Sequence, residues 1–159
     1  MISVAVIGGG ASGMAFAVAL KQKRPDIEVT VFEKNPKVLK KILVTGNGRC
    51  NILNFDAVAE NYFEACEFVR PAVEKYAPKK TEAIFRDMGL LLMSEQEGRA
   101  YPISQTAASV VCVLSSAAER AGVKVFTDTP VKSIKKSQGR FVINNDKSFN
   151  FAVIACGGA

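Results

Sequence analysis

The hydrophobic and polar positions at the beginning of the chain alternate between a strand, a helix and a second strand. Residues 2–7 form an apolar run rich in β-branched side chains, which predicts a strand covered on both faces. Small and apolar residues from 11 to about 24 predict a helix that Pro25 and Asp26 end, and residues 28–32 predict the second strand. A helix between two such strands implies parallel pairing with a right-handed crossover.

The middle of the chain has a less regular pattern. Residues 35–54 predict a long polar loop, and apolar positions from 56 onward recur at helical spacing until Pro71, where the helix should break or restart. Residues 79–88 predict another helix, which stops at Gly89. The remaining predicted elements are a strand at 90–93 and a helix from the N-cap Ser104 to Ala121, with Val111, Leu114, Ala118 and Ala121 facing inward.

The last part of the chain changes to short strands. Residues 123–127 predict a core strand, and the segment at about 131–151 predicts a small antiparallel β-meander with turns at 138–139 and 145–146. An apolar strand at 151–156 follows. The predicted fold is therefore α/β and Rossmann-like, with a parallel sheet and a small antiparallel β-meander, and one domain spans residues 1–159.

The composition narrows the possible chemistry. The chain has 159 residues, of which 48% are hydrophobic, and it contains no histidine. The absence of histidine excludes Ser-His-Asp triads, Cys-His dyads and imidazole-bound metals, and no metal site is expected. The net charge of +6 is compatible with anionic ligands but is also typical of an ordinary soluble surface.

The cysteines and the N-terminus predict a cytoplasmic location. Four cysteines occur without a C-x-x-C spacing, which favours reduced thiols, and Cys66 and Cys112 are expected to be buried on helical faces. Residues 1–20 carry no charge and so resemble a signal or membrane segment. Because no basic region precedes this run and four glycines interrupt it, we expect neither targeting nor membrane association.

A glycine-rich turn follows the first predicted strand. Residues 8–13 read GGGASG, which fits G-x-G-x-x-G between a strand and a helix. Gly8 would permit the tight turn, Gly10 would let a pyrophosphate approach the backbone, and Gly13 would let the helix pack close to the sheet. The free N–H groups at the start of the helix favour a phosphate. The pattern predicts a dinucleotide site.

An acidic residue completes this first motif. Glu33 stands at the end of the second predicted strand, 20 residues after Gly13. A carboxylate at this place accepts hydrogen bonds from ribose hydroxyls and repels a 2′-phosphate. The alternative is a solvated glutamate beside Lys34.

A second small-residue turn ends the chain. Residues 155–158 read ACGG after an apolar strand, which resembles the second FAD-contact motif of two-dinucleotide-domain flavoproteins. That motif commonly reads Ala-Thr-Gly, so Cys156 replaces the threonine while the backbone role of Gly157 is kept. Simple strand termination is the alternative.

Two further motifs carry a family resemblance. Residues 45–51 read TGNGRCN within KKILVTGNGRCNILN, and residues 98–104 read GRAYPIS. These stretches resemble the BaiN/RdsA-like NAD(P)/FAD-dependent oxidoreductases, also described as aminoacetone-oxidase-family flavoproteins, although Tyr101 replaces the commoner phenylalanine. Members are much longer and have a separate domain and a C-terminal flavin-contact segment. The resemblance therefore implies that this chain is an N-terminal fragment without a complete catalytic pocket.

The resemblance also implies a function. We expect the FAD-binding portion of an oxidoreductase that transfers hydride between flavin N5 and a small organic substrate, with NAD(P)H as a candidate electron donor. Two alternatives remain: a flavoprotein that acts in tRNA modification or nucleic-acid binding, and an NAD-only dehydrogenase domain. The low aromatic content of 8% weighs against nucleic acid as a partner.

The loop at 45–51 supplies most of the other candidate residues. Arg49 is a candidate for binding pyrophosphate or a substrate carboxylate, with a structural ion pair as the alternative. Arg99 is a candidate substrate contact, and a flavin-linked disulfide between Cys50 and Cys156 is a further hypothesis. The residues expected to contact the cofactor are Gly8, Gly10, Ala11, Ser12, Gly13, Glu33, Lys34, Thr45, Gly46, Gly48, Arg49, Cys50, Asn51, Val131, Ala155 and Gly157.

Overall fold

A computed structural model describes residues 1–158 of the chain. These residues divide into two compact units, one formed by residues 1–42 with those from 114 onward and one formed by residues 43–113. The strands are β1 Ser3–Ile7, β2 Glu28–Phe32, β3 Leu53–Asn54, β4 Leu92–Ser94, β5 Arg99–Pro102, β6 Lys124–Phe126, β7 Ile134–Ser137, β8 Arg140–Ile143, β9 Lys147–Phe149 and β10 Phe151–Ile154. The α-helices are α1 Ala11–Lys23, α2 Cys66–Lys75, α3 Pro78–Asp87 and α4 Ala107–Arg120.

The first unit contains a parallel sheet in the order β10-β1-β2-β6. All five residues of β1 are buried, as expected for a central strand covered on both faces. Helix α1 packs on β1 and β2 through small and apolar side chains, among which Met14, Ala17 and Val18 are buried. The predicted strand–helix–strand unit and its parallel pairing are confirmed.

The β-meander is also confirmed. Strands β7, β8 and β9 form an antiparallel sheet in that order. Its apolar face joins the sheet's core, because Ile143 and Phe149 belong to one buried cluster with Ala5, Ile7 and Phe32. The ring of Phe149 meets the ring of Phe32 edge to face at 5.8 Å, a favourable aromatic geometry.

The second unit has its own small antiparallel sheet, in the order β3-β5-β4. Helix α3 contacts β3 in this unit. Two 3₁₀ segments, Lys40–Gly48 and Ala59–Ala65, include non-helical residues. The first of them and β3 occupy the region predicted to be one polar loop, so that prediction is wrong in part.

Pro71 does not break its helix. Helix α2 runs through Pro71 to Lys75. Proline removes the hydrogen bond that would reach the carbonyl of Glu67, but Glu67 and Pro71 are both exposed, so water can replace that bond. The predicted break is therefore wrong.

Ser104 is not the N-cap of the next helix. Helix α4 begins at Ala107. Gln105 has a φ of 57°, which no α-helical residue adopts, so Ser104 does not directly precede the first residue of a helix. The hydroxyl of Ser104 instead contacts that of Ser109. Val111 was expected to face inward along this helix but is only half-buried, whereas its neighbour Val110 is buried.

Two predictions of burial are wrong. Strand β6 lies at the edge of the parallel sheet and all three of its residues are exposed, so it is not the expected core strand. Cys112 is exposed because the buried face of α4 is formed by other residues, among them Val110 and Leu114. Cys66 is only half-buried because α2 has no buried residue. None of the helices in residues 1–158 has the length and apolar composition needed to cross a membrane.

Candidate functional site

The turn after β1 requires glycine at its first position. Gly8 has a φ of 109°, and its N–H donates to the carbonyl of Phe32 at 2.8 Å. A Cβ at Gly8 would lie 2.4 Å from the carbonyl oxygen of Ala155. Backbone conformation and space therefore both exclude a side chain at this position.

Gly13 allows α1 to start directly against this turn. A Cβ at Gly13 would lie 2.0 Å from the carbonyl oxygen of Gly8. Ala17, one turn further along α1, has no exposed surface. The close helix–strand packing expected from the motif is thus present.

Gly10 has a different environment. It is the N-cap of α1, has an ordinary φ of −77° and carries no side-chain cap. A Cβ there would meet no atom within 4 Å, and the next two residues, Ala11 and Ser12, are exposed. Uncapped N–H groups beside open space suit an anionic group, which the positive end of the helix dipole also favours.

Glu33 lies beside the same turn. Glu33 is only 8% exposed, and its Oε2 accepts the N–H of Gly9 at 2.8 Å. Oε1 accepts the backbone N–H of Asn35 at 2.8 Å and its side-chain amide at 2.6 Å. The structure thus joins the end of β2 to the glycine turn through one carboxylate.

These contacts determine the charge state of Glu33. Burial is the largest single influence and raises the pKa of the carboxyl. The hydrogen bonds from Asn35 and Gly9, with the charge of Lys34, together outweigh burial and hold the pKa below its ordinary value. Glu33 is therefore a carboxylate at neutral pH.

Asn35 was missed by the sequence analysis. Besides holding Glu33, it accepts the N–H of Asp128 on its carbonyl at 3.1 Å, while the carbonyl of Glu33 accepts the N–H of Thr129 at 2.8 Å. The only available signal was an asparagine two residues after the glutamate, which forms a local side-chain turn. Lys34 is exposed between them.

The other predicted residues of this unit lie at two places. Ala155 follows β10, where its N–H donates to the carbonyl of Ile7 at 2.8 Å, and Gly157 has a φ of 79°. Val131 is half-buried and packs against the cluster that contains Ala5 and Ile7.

In the second unit, the loop at 45–51 is a tight turn with several left-handed residues. Positive φ occurs at Gly46, Asn47, Gly48 and Cys50, and the N–H of Cys50 donates to the carbonyl of Thr45 at 3.1 Å. A Cβ at Gly46 would lie 2.8 Å from the nitrogen of Asn51, whereas Gly48 has open space. The loop is therefore closed by its own backbone.

Arg49 is held by two residues of the same unit. Its guanidinium donates to both oxygens of Glu95, at 3.1 and 2.7 Å, and lies 3.9 Å from the ring centre of Tyr101. The bond to Glu95 is the main cause that raises the pKa of Arg49, and it lowers the pKa of Glu95. The structural ion pair considered as the alternative for Arg49 is thus present.

The remaining residues that the sequence predicted for the site differ in their surroundings. Arg99 is exposed and pairs with Glu97, and Asn51 is exposed. Cys50 is buried and Cys156 is exposed, and both are free thiols in this structure. Within residues 1–158, no group of three or more His, Cys, Asp or Glu residues is arranged to hold a metal ion.

Comparison with known families identifies the chain at the level of its domain. The model of the HI0933-like protein Rossmann domain matches residues 2–159. The chain belongs to this family. The HI0933-like Rossmann domain agrees with the parallel sheet and the glycine turn described above.

The curated proteins that are similar to this HI0933-like chain include one from Clostridium scindens and one from Haemophilus influenzae. The 3-dehydro-bile acid delta(4,6)-reductase of Clostridium scindens is 37% identical over 162 residues, which cover 99% of this chain and 39% of that protein. The ribosomal RNA dihydrouridine synthase of Haemophilus influenzae is 26% identical over 149 residues, which cover 93% and 35%. The chain therefore spans less than half of the length of each of these relatives.

Solved structures share the fold. Glycine oxidase from Bacillus cereus has a TM-score of 0.57 at 13% identity, covering 99% of this chain and 55% of that one. CtdE in complex with FAD and a substrate has a TM-score of 0.54 at 15% identity, covering 99% and 38%. At these identities the likeness concerns the fold alone.

Proposed function

We propose that this HI0933-like chain is the FAD-binding part of a flavin-dependent oxidoreductase. The full protein would transfer hydride between flavin N5 and a small organic substrate, and a reduced nicotinamide nucleotide is the candidate electron donor. The observation that carries the proposal is the carboxylate of Glu33 held 2.8 Å from the N–H of Gly9. A ribose acceptor and a phosphate-binding turn then lie side by side, as an adenine dinucleotide requires.

The residues of the first unit fit the adenosine and diphosphate of FAD. The open space at Gly10 and the uncapped start of α1 suit the diphosphate, since backbone N–H groups are the donors there. The ionised Glu33 suits the ribose hydroxyls, and its charge disfavours a 2′-phosphate. When bound, the flavin supplies the redox chemistry, while the protein supplies binding and orientation.

The comparisons support the choice of an oxidoreductase. A relative that is 37% identical over 99% of this chain is named as a reductase, and CtdE, which has the same fold, was solved with FAD. This chain covers only 39% of the reductase. We therefore propose, for the full protein, the oxidoreductase activity, the small organic substrate and the electron donor. The loop at 45–51 stays a predicted contact of the cofactor.

Action on RNA is the second candidate. It is favoured by the relative named as a ribosomal RNA dihydrouridine synthase and by the net charge of +6. Binding through phosphates would be strongly salt-dependent, because counterions are released on association.

The test is the visible spectrum of the purified intact protein, followed by release and identification of the cofactor. We expect flavin absorption and FAD in the released material. Glu33→Gln should lower the FAD content, because an amide has one oxygen and would place its NH₂ against an N–H donor. The matched control is Glu119→Gln, an exposed glutamate on α4, which should retain FAD.

Other results would identify the alternatives. Nicotinamide nucleotide without flavin would support an NAD-only dehydrogenase and overturn the proposal. RNA that is retained at low salt and released at high salt, together with bound FAD, would support the second candidate. An intact protein without affinity for any dinucleotide would contradict both the proposed FAD-dependent oxidoreductase and the flavoprotein that acts on RNA.

A further inference from the structure

Asn35 makes contacts that reach beyond its own turn. We propose that Asn35 is a positioning residue for nucleotide recognition, which fixes the carboxylate of Glu33 in the orientation that receives a ribose hydroxyl. The inference rests on the proposed function, because it assigns the ligand of Glu33 as an adenine nucleotide. Asn35 would act through Glu33 and need not touch the ligand itself.

The chemistry of the contact determines which way the amide faces. Glu33 is ionised and can only accept hydrogen bonds, so Asn35 presents its NH₂ group to Oε1 at 2.6 Å. The backbone N–H of Asn35 reaches the same oxygen at 2.8 Å. One residue therefore supplies two of the three donors that residues 1–158 direct at this carboxylate.

The three donors also leave a defined part of the carboxylate for a ligand. A carboxylate has about four acceptor positions, and Oε1 already receives two donors. Among the residues that the structure describes, Gly9 alone donates to Oε2, so the remaining acceptor position of Oε2 lies beside the glycine turn. Rotation of the carboxylate would break all three bonds in a buried place, where an unpaired polar group is costly.

The backbone at Asn35 is anchored independently of its side chain. The carbonyl of Asn35 accepts the N–H of Asp128, and the carbonyl of Glu33 accepts the N–H of Thr129. Asn35 is half-buried, so a shorter side chain leaves no closed cavity. The variant Asn35→Ala should therefore fold with the path of the chain unchanged.

The experiment measures discrimination between two probes by the intact protein after FAD has been removed. Titration calorimetry gives the Kd of ADP and of 2′,3′-dideoxy-ADP, which lacks both ribose hydroxyls. We expect wild type to prefer ADP by about tenfold or more, since a hydrogen bond to a charged group is at stake. Asn35→Ala should lower this preference by about threefold or more, and Asn35→Asp, which places a second carboxylate against Glu33, should lower it further.

The matched control is Asn150→Ala. Asn150 is also half-buried and accepts the N–H of Ser3 at 2.9 Å, at the opposite end of β1. This variant should keep the preference of wild type for ADP. Thermal unfolding of each variant verifies that it is folded before its Kd is measured.

The outcomes separate the inference from the proposed function. If wild type binds both probes equally, the assignment of Glu33 to the ribose fails, and the role of Asn35 fails with it. If wild type prefers ADP and both Asn35 variants keep the full preference, the positioning role alone is overturned. An equal loss of affinity for both probes in Asn35→Ala would indicate a structural role and would also overturn it.

Discussion

Gly8 and Ala155 approach so closely that no side chain fits between them. A Cβ at Gly8 would lie 2.4 Å from the carbonyl oxygen of Ala155. The two residues follow β1 and β10, which pair in parallel with Ile7 opposite Ile154. Both glycine-containing turns of the first unit are therefore held at the same edge of the sheet, where ligands of open α/β sheets bind.

The first prediction concerns this contact. Gly8→Ala should lower the free energy of unfolding by more than about 4 kcal/mol, because a backbone clash is added to a disfavoured φ. Gly122→Ala is the control, since its φ is 73° but its surroundings are open, and it should cost about 1–2 kcal/mol. Urea titration measures both values. If both variants lose the same free energy of unfolding, the backbone around Ala155 shifts easily to make room for the added Cβ.

The second prediction separates folding from binding at Gly10. Gly10→Ala should change the free energy of unfolding by less than about 0.5 kcal/mol, because φ is ordinary and no atom lies within 4 Å. The same methyl group would occupy the space assigned to the diphosphate, so FAD retention by the intact protein should fall at least about tenfold. Unchanged retention would place the diphosphate elsewhere.

The third prediction is a pH dependence. The pKa of Glu33 is lower in the folded chain than its ordinary value of 4.5, so folding favours the ionised form. Its contribution to stability is complete above the unfolded pKa and is lost as pH falls through the folded pKa. The free energy of unfolding should therefore fall less steeply in Glu33→Gln than in wild type between about pH 5 and pH 3. Parallel curves would contradict the assignment.

The elements around Gly8 and Glu33 were predictable because their patterns are local. An uncharged β-branched run, a glycine turn and a helix of small residues have one consistent interpretation, and the spacing from Gly13 places Glu33 at the end of β2. The role of Asn35 was harder to predict from the sequence, because it depends on the orientation that the side chain of Glu33 adopts in the folded chain, where Oε1 accepts the Asn35 amide.

The second unit was harder to predict for the same physical reason. Arg49 and Glu95 are 46 residues apart, so no periodic pattern joins them. In α4 nearly every residue is small or apolar, so the sequence pattern does not specify which side chains face inward. The burial expected for Cys112 was wrong for this reason, because the buried face of α4 includes Val110 and Leu114 instead. Whether Pro71 breaks its helix depended on the solvent exposure of that face of α2, which helix propensity does not give.

The fourth prediction tests whether Arg49 is structural. Arg49 and Glu95 are each about one-third exposed, so a double-mutant cycle with Arg49→Gln and Glu95→Gln should give a small, favourable coupling free energy. Arg49→Lys should also lose stability, because lysine lacks the flat group that stacks on Tyr101. Zero coupling together with weaker FAD retention would instead assign Arg49 to the cofactor.

The last prediction concerns the thiols, whose surroundings differ strongly. Cys112 and Cys156 are exposed, whereas Cys50 is 7% exposed and lies within the closed loop at 45–51. Alkylation of the folded intact protein without reductant, followed by peptide mass spectrometry, should label Cys112 and Cys156 first and Cys50 last. A peptide that contains Cys50 linked to Cys156 would revive the disulfide hypothesis. Because Cys50 is shielded while Cys156 faces solvent, we expect four separate thiols from this part of the protein after unfolding.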